Sequence, residues 1–350
     1  MRPALHIAGT LGLALAAALG GVWAGTPLPW MIGPLLASAA VSMAGVPLQS
    51  PAMLRHAGQG AIGLSLGLYF TPAVVAVLLS LLPALALGVA WSLLMGYGFY
   101  RLLWWRHGGE PGVGRSTAFF SAGIGGASEM ALLAERHEGR IDRVAASHSL
   151  RIVLVVLTIP FAMKALGVHG ADPALPGMLE VRPGGLALLV ALSLAGAILL
   201  RRLHGPSPWV LGPLLVAMAL TASSVQLSAL PKVATNFGQL FIGIALGTRF
   251  TPDFARAAPR WLATVAVGSL AMMLASALFG WGLARLLGLH PATMVLATAP
   301  GGIAEMSITA KVLQLGVPVV TVFQLVRYLA VLVLTGPMYR LELARLRRRT

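Results

Sequence analysis

One block of sequence occurs twice in this chain, and each copy holds an ionisable pair in apolar surroundings. Gly125-Gly126-Ala127-Ser128-Glu129-Met130 is followed by Arg151, and Gly301-Gly302-Ile303-Ala304-Glu305-Met306 by Arg327. In both copies the glutamate precedes the arginine by 22 positions (151 − 129 and 327 − 305). Further blocks repeat upstream. Pro29-Trp30-Met31-Ile32-Gly33-Pro34-Leu35-Leu36 matches Pro208-Trp209-Val210-Leu211-Gly212-Pro213-Leu214-Leu215. Gly58-Gln59, Ile62-Gly63, Leu66-Gly67 and Phe70-Thr71-Pro72 match Gly238-Gln239, Ile242-Gly243, Leu246-Gly247 and Phe250-Thr251-Pro252. The matches fall on Trp, Gln, Glu, Arg and Pro, so they mark a duplication rather than a shared apolar bias. Two halves of one repeat must build one supersecondary unit twice.

The medium follows from composition. Of the 350 residues 57% are hydrophobic and 10% charged, against about 25% charged in soluble domains. Mean hydropathy is +0.85. A transmembrane β-barrel would need short alternating strands, so the expected fold class is all-α: a polytopic membrane protein of two homologous repeats. It should contain about 10–12 transmembrane helices with broken or re-entrant segments. The net charge of +15 comes mainly from arginine. Most arginines stand singly or in pairs at the edges of apolar segments, as at Arg106 and Arg201-Arg202, which suits membrane flanks and anionic headgroups. No nucleic-acid-binding module fits the short loops. The basic tail 341–350, with Arg345, Arg347, Arg348 and Arg349, is expected on the cytoplasmic side. The absence of cysteine excludes disulfides and thiolate ligands. The first 24 residues look like a signal peptide, but their counterpart at 184–200 is internal, so they read as a retained helix.

The first membrane repeat is placed at 1–168, a polar connector at 169–183 and the second repeat at 184–340. Six apolar segments are expected in each, near 5–24, 30–46, 57–70, 73–100, 116–135 and 146–168, then 184–203, 209–228, 236–250, 260–288, 292–312 and 317–340. The third is short and glycine-rich, and the fifth is interrupted by its glycine pair. Interrupted segments at matching positions in two halves point to a central binding site. Six spans per copy would make the repeats parallel, five inverted. Arg101/Arg106, Arg136/Arg140/Arg143 and Arg201/Arg202 cannot share one side if every segment spans, so one segment per copy reads as a candidate re-entrant element.

The candidate site gathers the groups that are expensive in a membrane. Gly125, Gly126, Gly301 and Gly302 would break their helices, with Ser128 beside the first break. Glu129 and Glu305 would bind a proton or Na⁺, or else serve as structural helix-end residues. Arg151 and Arg327 would hold a substrate anion with a planar fork or lock the glutamate of their own copy. His148 shares a helix face with Arg151, three residues on, and Gln324 takes its place in copy two. Gln59 and Gln239 would line a pathway or cap a broken helix. The Pro-Trp blocks read as architectural. No metal-ligand set, Walker A sequence or hydrolase arrangement is present, so neither cofactor nor metal is expected and the chain reads as no enzyme.

Through the Pro-Trp-x-x-Gly-Pro, Gly-Gln…Gly…Phe-Thr-Pro and Gly-Gly-x-x-Glu-Met blocks the chain resembles the AbrB family of Gram-negative bacterial membrane proteins, over nearly its whole length. This is not the small soluble DNA-binding regulator of the same name. The resemblance implies a multi-pass inner-membrane protein of two duplicated domains. Family members are labelled as regulators of gene expression, and some as ammonia monooxygenases, a label that the missing copper ligands do not support. The leading expectation is a secondary transporter of a small solute, with an organic anion as candidate, coupled to H⁺ or Na⁺. Its partners would be that solute, the ion, the lipid membrane and, optionally, further copies of itself. The alternative is a membrane sensor or regulator that binds a ligand without moving it.

Overall fold

The computed structural model describes residues 2–170, 176–177, 180–252, 254 and 258–348, with side chains from residue 6 onward. Asp172 and Pro173 of the connector and Arg349 of the tail lie outside the described residues. Every regular element among the described residues is helical, as the composition requires. In chain order these are α1 (Arg2–Trp23), α2 (Pro29–Met43), α3 (Ala52–Gly67), α4 (Pro72–Ser80), α5 (Leu82–His107), α6 (Arg115–Ala122), α7 (Ala127–Glu135) and α8 (Ile141–Ala165). The second half gives α9 (Pro183–Arg202), α10 (Pro208–Ala222), α11 (Lys232–Gly247), α12 (Pro259–Leu287), α13 (Pro291–Thr298), α14 (Ile303–Val312) and α15 (Val317–Arg347). Six of these helices, namely α1, α5, α8, α9, α12 and α15, are long and apolar enough to cross a membrane by themselves. The chain is a multi-pass membrane protein.

Three expected segments divide. The stretch 73–100 is not one helix: α4 ends at Ser80 and α5 begins at Leu82. Pro83 lies in the first turn of α5, where its missing N–H leaves α4 nothing to continue into. Upstream, α3 and α4 are bent by 84°. Pro72 opens α4 and ends the glycine-rich α3 in the same way. The fifth segment of each copy splits at its glycine pair, into α6 and α7 and into α13 and α14.

The described residues form two compact units, each drawing on both halves of the chain. The first comprises Met1–Ser80, Leu157–Ala255 and Ser307–Thr321. Its helices approach so closely that repeated glycines are obligatory at the crossings. A side chain at Gly33 would run into the Ala17 carbonyl of α1, and one at Gly212 into the Ala197 backbone of α9. Across the copies, Gly63 and Gly67 of α3 seat against Val210 and Leu214 of α10, and Gly243 and Gly247 of α11 against Met31 and Leu35 of α2. Gly58 and Gly238 face each other where α3 crosses α11. Lipid gives helices little hydrophobic reason to associate, so this backbone proximity supplies the packing. The Pro-Trp blocks are architectural here. Leu28 and Ser207 take left-handed backbone conformations just ahead of Pro29 and Pro208, which start α2 and α10.

The second unit comprises Leu81–Val156, Arg256–Met306 and Val322–Thr350. Its internal contacts settle the direction of its helices. His107, at the end of α5, bonds Thr264, near the start of α12, at 2.8 Å, while Trp91 nearer the start of α5 stacks on Phe279 nearer the end of α12. The equivalent helices α5 and α12 are therefore antiparallel. The broken segments are hairpins rather than spans. The Arg140 N–H, just ahead of α8, donates to Thr117 Oγ1 at the start of α6 at 3.0 Å. Residues 115–140 thus leave and return at one end of the unit. In copy two, Gln324, seven residues into α15, meets the carbonyl of Leu296, five residues into α13, so these helices run in the same direction and α14 must double back. The second unit holds the α6–α7 hairpin and, inverted to it, α13 with the first turn of α14, the two entering from opposite ends. Two places are thus interrupted in the manner of a re-entrant element: the fifth segment at its glycine pair, and the α3–α4 pair with its 84° bend.

The crossings generate a stability prediction. Gly63→Ala places a methyl against the Val210 carbonyl and should cost about 1–3 kcal/mol by overpacking, whereas Gly9→Ala or Gly12→Ala on α1, with nothing within 4 Å of the added carbon, should be neutral or slightly stabilising. Thermal unfolding in mild detergent reads the difference.

Candidate functional site

A helix broken inside a membrane exposes carbonyls at one end and N–H groups at the other, and each needs a partner. The second unit meets this need with the residues that the repeat supplies twice. At the carbonyl end of α6, Arg151 of α8 donates from Nη2 to Gly123 at 2.7 Å and from Nη1 to Ser121 at 3.5 Å. His148, one turn earlier, reaches the Phe120 carbonyl with Nε2 at 2.9 Å and meets Arg151 Nη2 with Nδ1 at 2.7 Å. A carbonyl only accepts and a guanidinium only donates, so the ring is neutral, with its proton on Nε2. In copy two Arg327 donates to the carbonyls of Ala299 and Gly301. Gln324 Nε2 serves Leu296 at 2.8 Å, Ala297 at 3.3 Å and Ala299 at 3.1 Å. Both arginines are buried, as are His148 and Gln324. The equivalence of His148 and Gln324 is thereby explained: each is a donor to the last carbonyls of a half-helix.

The amide ends are arranged just as regularly. Glu129 and Glu305 each occupy the third position of their second half-helix. From that position a carboxylate folds back over the helix N-terminus, as in a capping box, where the dipole also favours a negative charge. A methyl on Gly126 would collide with Glu129 Oε2, and one on Gly302 with Glu305 Oε2. The preceding glycines do the same for the next residue: Gly125 clears the way for Met130, and Gly301 for Met306. The Gly-Gly-x-x-Glu-Met motif is therefore one packing unit, each glycine making room for one later side chain.

The hairpin tips lie close to the opposing long helices. Gly125 lies against Val331 of α15, and Gly301 against Val155 of α8. Tyr328 of α15 donates its hydroxyl to Glu129 Oε1 at 2.7 Å, joining the second copy to the first. The two copies differ here, because Ile152 stands at the position equivalent to Tyr328. Burial differs as well: Glu305 is 8% exposed, while Glu129 is half-buried and Ser128 exposed. Two polar atoms near the second tip, Arg327 Nε and Gln324 Oε1, are buried and have no hydrogen-bond partner among the described residues.

The glutamates, glycine pairs, arginines, Ser128 and His148 are thus gathered in one unit. Gln59 and Gln239 belong to the other, each directly following the glycine at the α3–α11 crossing. Of the two roles considered for the arginines, neither is what their partners display: their hydrogen bonds run to backbone carbonyls and, for Arg151, to His148. Sequence reasoning missed Tyr328, the group that ties the copies together. Its neighbour Arg327 was visible through the repeat, but Tyr328 has no counterpart in copy one and so left no repeat signal. Among the described residues no group of three or more His, Asp or Glu could hold a metal ion.

Broken helices that carry buried ionisable groups define a class, that of multi-pass membrane proteins with interrupted helices. The family profile described as transition state regulatory protein AbrB matches residues 30–342, and the chain belongs to this family. Among its relatives, the protein YhjN of Bacillus subtilis (strain 168) is 28% identical over 351 residues, covering 91% of this chain and 88% of the relative. A protein of Escherichia coli (strain K12) that carries the regulator name AbrB is 25% identical over 329 residues, covering 93% of this chain and 92% of the relative.

Two substitutions test the assignment of the carbonyl-end residues. His148→Gln should be tolerated, since Gln324 performs the same task in copy two, whereas His148→Leu leaves a buried carbonyl unmet and should cost about 1–3 kcal/mol. Arg327→Met orphans the Gly301 carbonyl and leaves that of Ala299 with Gln324 alone, and it should destabilise the protein by about 1–3 kcal/mol. Chemical or thermal unfolding of the purified variants gives both values.

Proposed function

We propose that the chain is a secondary transporter of a small organic anion, coupled to H⁺ or Na⁺ through its two hairpin glutamates, in the bacterial inner membrane. The observation that carries this reading is the inverted hairpin pair. Discontinuous helices placed in inverted repeats are where secondary transporters hold substrate and coupling ion. Arg151 and Arg327 are positioning residues that keep the half-helices apart at their breaks. Glu129 and Glu305 are the exchangeable groups.

The charges suggest how coupling works. Two buried guanidiniums, Arg151 and Arg327, stand against two carboxylates. While both glutamates are ionised, they occupy the positive ends of α7 and α14. Protonating one of them, or pairing it with Na⁺, leaves an excess of positive charge and a helix N-terminus open to an anion. Arg327 Nε and Gln324 Oε1 offer one donor and one acceptor near the same tip. Binding of anion and coupling ion would thus favour each other. No catalytic constellation accompanies the site, and we read the chain as no enzyme.

The regulator name carried by the family supports a second reading, in which the site senses a solute without moving it. A transporter also fits that name, because changing a metabolite level alters gene expression. The test is a thermal-shift screen of the purified protein against carboxylates and inorganic anions at pH 5.5 and pH 8, with and without Na⁺, followed by uptake of the hit into proteoliposomes. Transport with H⁺ coupling predicts anion stabilisation that is stronger at pH 5.5 and becomes independent of pH in Glu129→Gln/Glu305→Gln, which mimics both protonated carboxyls. Stabilisation that needs Na⁺ at both pH values would select Na⁺ as the coupling ion. Binding without uptake would select the sensor, and the absence of any anion effect in the wild type would refute the reading.

A further inference from the structure

At the opposite end of α15 from the α13–α14 hairpin, the second unit has a cleft of about 490 Å³ lined by Tyr97, Met338, Leu341, Glu342, Ala344, Arg345 and Arg348. We infer that this cleft is a binding site for an anionic phospholipid, with the phosphate on Arg345 and Arg348 and the acyl chains along Met338 and Leu341.

The position of the cleft relative to the bilayer comes from helix length. With 31 residues, α15 is about 46 Å long at 1.5 Å per residue, well beyond the roughly 30 Å hydrocarbon core. Its last turns therefore lie at headgroup level. The end of α5 lies at the same level, since Tyr97 and Tyr100 donate to Glu342 at 3.1 and 3.3 Å. This end of the unit also carries Arg101 and Arg106, and by the excess of positive charge it faces the cytoplasm, where anionic lipids give the leaflet its negative potential.

The charge of the cleft favours a phosphate. Glu342 is the carboxylate in its wall, and it is buried beneath two tyrosine hydroxyls. Arg345 and Arg348 are exposed. Two guanidiniums thus share the cleft with one carboxylate that is already hydrogen-bonded. Below them the lining turns apolar. Leu341 is 70% exposed, a surface that water would not leave uncovered but an acyl chain would cover. A guanidinium fork over an apolar wall matches a phospholipid better than a free phosphate, which has no use for the wall. Basic pockets between transmembrane helices on the cytoplasmic side bind such headgroups.

The test uses the full-length protein in neutral detergent, with phosphatidylglycerol, phosphatidylcholine and glycerol 1-phosphate as probes, read by native mass spectrometry and melting temperature. Phosphatidylglycerol should stay bound and raise the melting temperature by about 2–4 °C, and phosphatidylcholine should do neither. The double variant Arg345→Gln/Arg348→Gln should lose at least tenfold in phosphatidylglycerol affinity. Ala344→Trp, which fills the cleft and keeps its charge, should lose it too. Arg201→Gln/Arg202→Gln, which removes the same charge from the exposed end of α9, should bind as the wild type does. Three results would overturn the inference: retention unchanged in the Arg345/Arg348 variant, equal loss in the Arg201/Arg202 variant, or protection by glycerol 1-phosphate equal to that by the lipid.

Discussion

A helix cannot stop inside a membrane unless something answers the polar groups at the break, and this requirement organises the second unit. Each glycine pair ends one half-helix and begins another. Arg151 with His148, and Arg327 with Gln324, meet the carbonyls. The glutamates cover the N-termini, and the glycines leave them room to do so. Removing an arginine would do more than delete a charge, since several backbone groups would be left in a medium that offers no substitute. The ionisable residues that make the break tolerable are the same ones that a solute or an ion would meet there. This explains how one short motif can serve structure and function together.

Close helix approach does corresponding work in the first unit. Glycines at equivalent places in the two copies bring α3 onto α10 and α11 onto α2, and Gly33 and Gly212 bring each copy's own helices together as well. The duplication is thereby locked into one fold: neither half can bury its glycine faces alone. The same reciprocity appears in the second unit, where Tyr328 from the second copy holds Glu129 of the first.

The repeat made much of this legible. The helical fold class and the coincidence of Glu, Gly and Arg at two helix breaks followed from residues that recur at fixed spacing. Three features did not follow. The direction of the hairpins depends on which helices meet, as at His107 and Thr264, and spacing along the chain carries no such information. The carbonyl partners of the arginines did not follow either, because a charge count draws attention to carboxylates, whereas a break in a helix presents carbonyls. Tyr328 was invisible because a repeat reveals what two copies share and conceals where they differ. The split of 73–100 at Pro83 was the reverse case, in which a proline within an apolar run was given too little weight.

Family membership and the regulator name are compatible with a transport protein, and the geometry makes one claim that holds for either function: the two hairpins enter the membrane from opposite faces. The chain has no cysteine, so single cysteines report without background. The decisive measurement is labelling of Arg136→Cys and His290→Cys by a membrane-impermeant maleimide, in right-side-out and in inside-out vesicles. Opposed hairpins predict that each position is labelled in one vesicle type and that the two types differ, with Arg136→Cys reacting on the same side as the C-terminal tail. Labelling of both positions from one face would contradict the account.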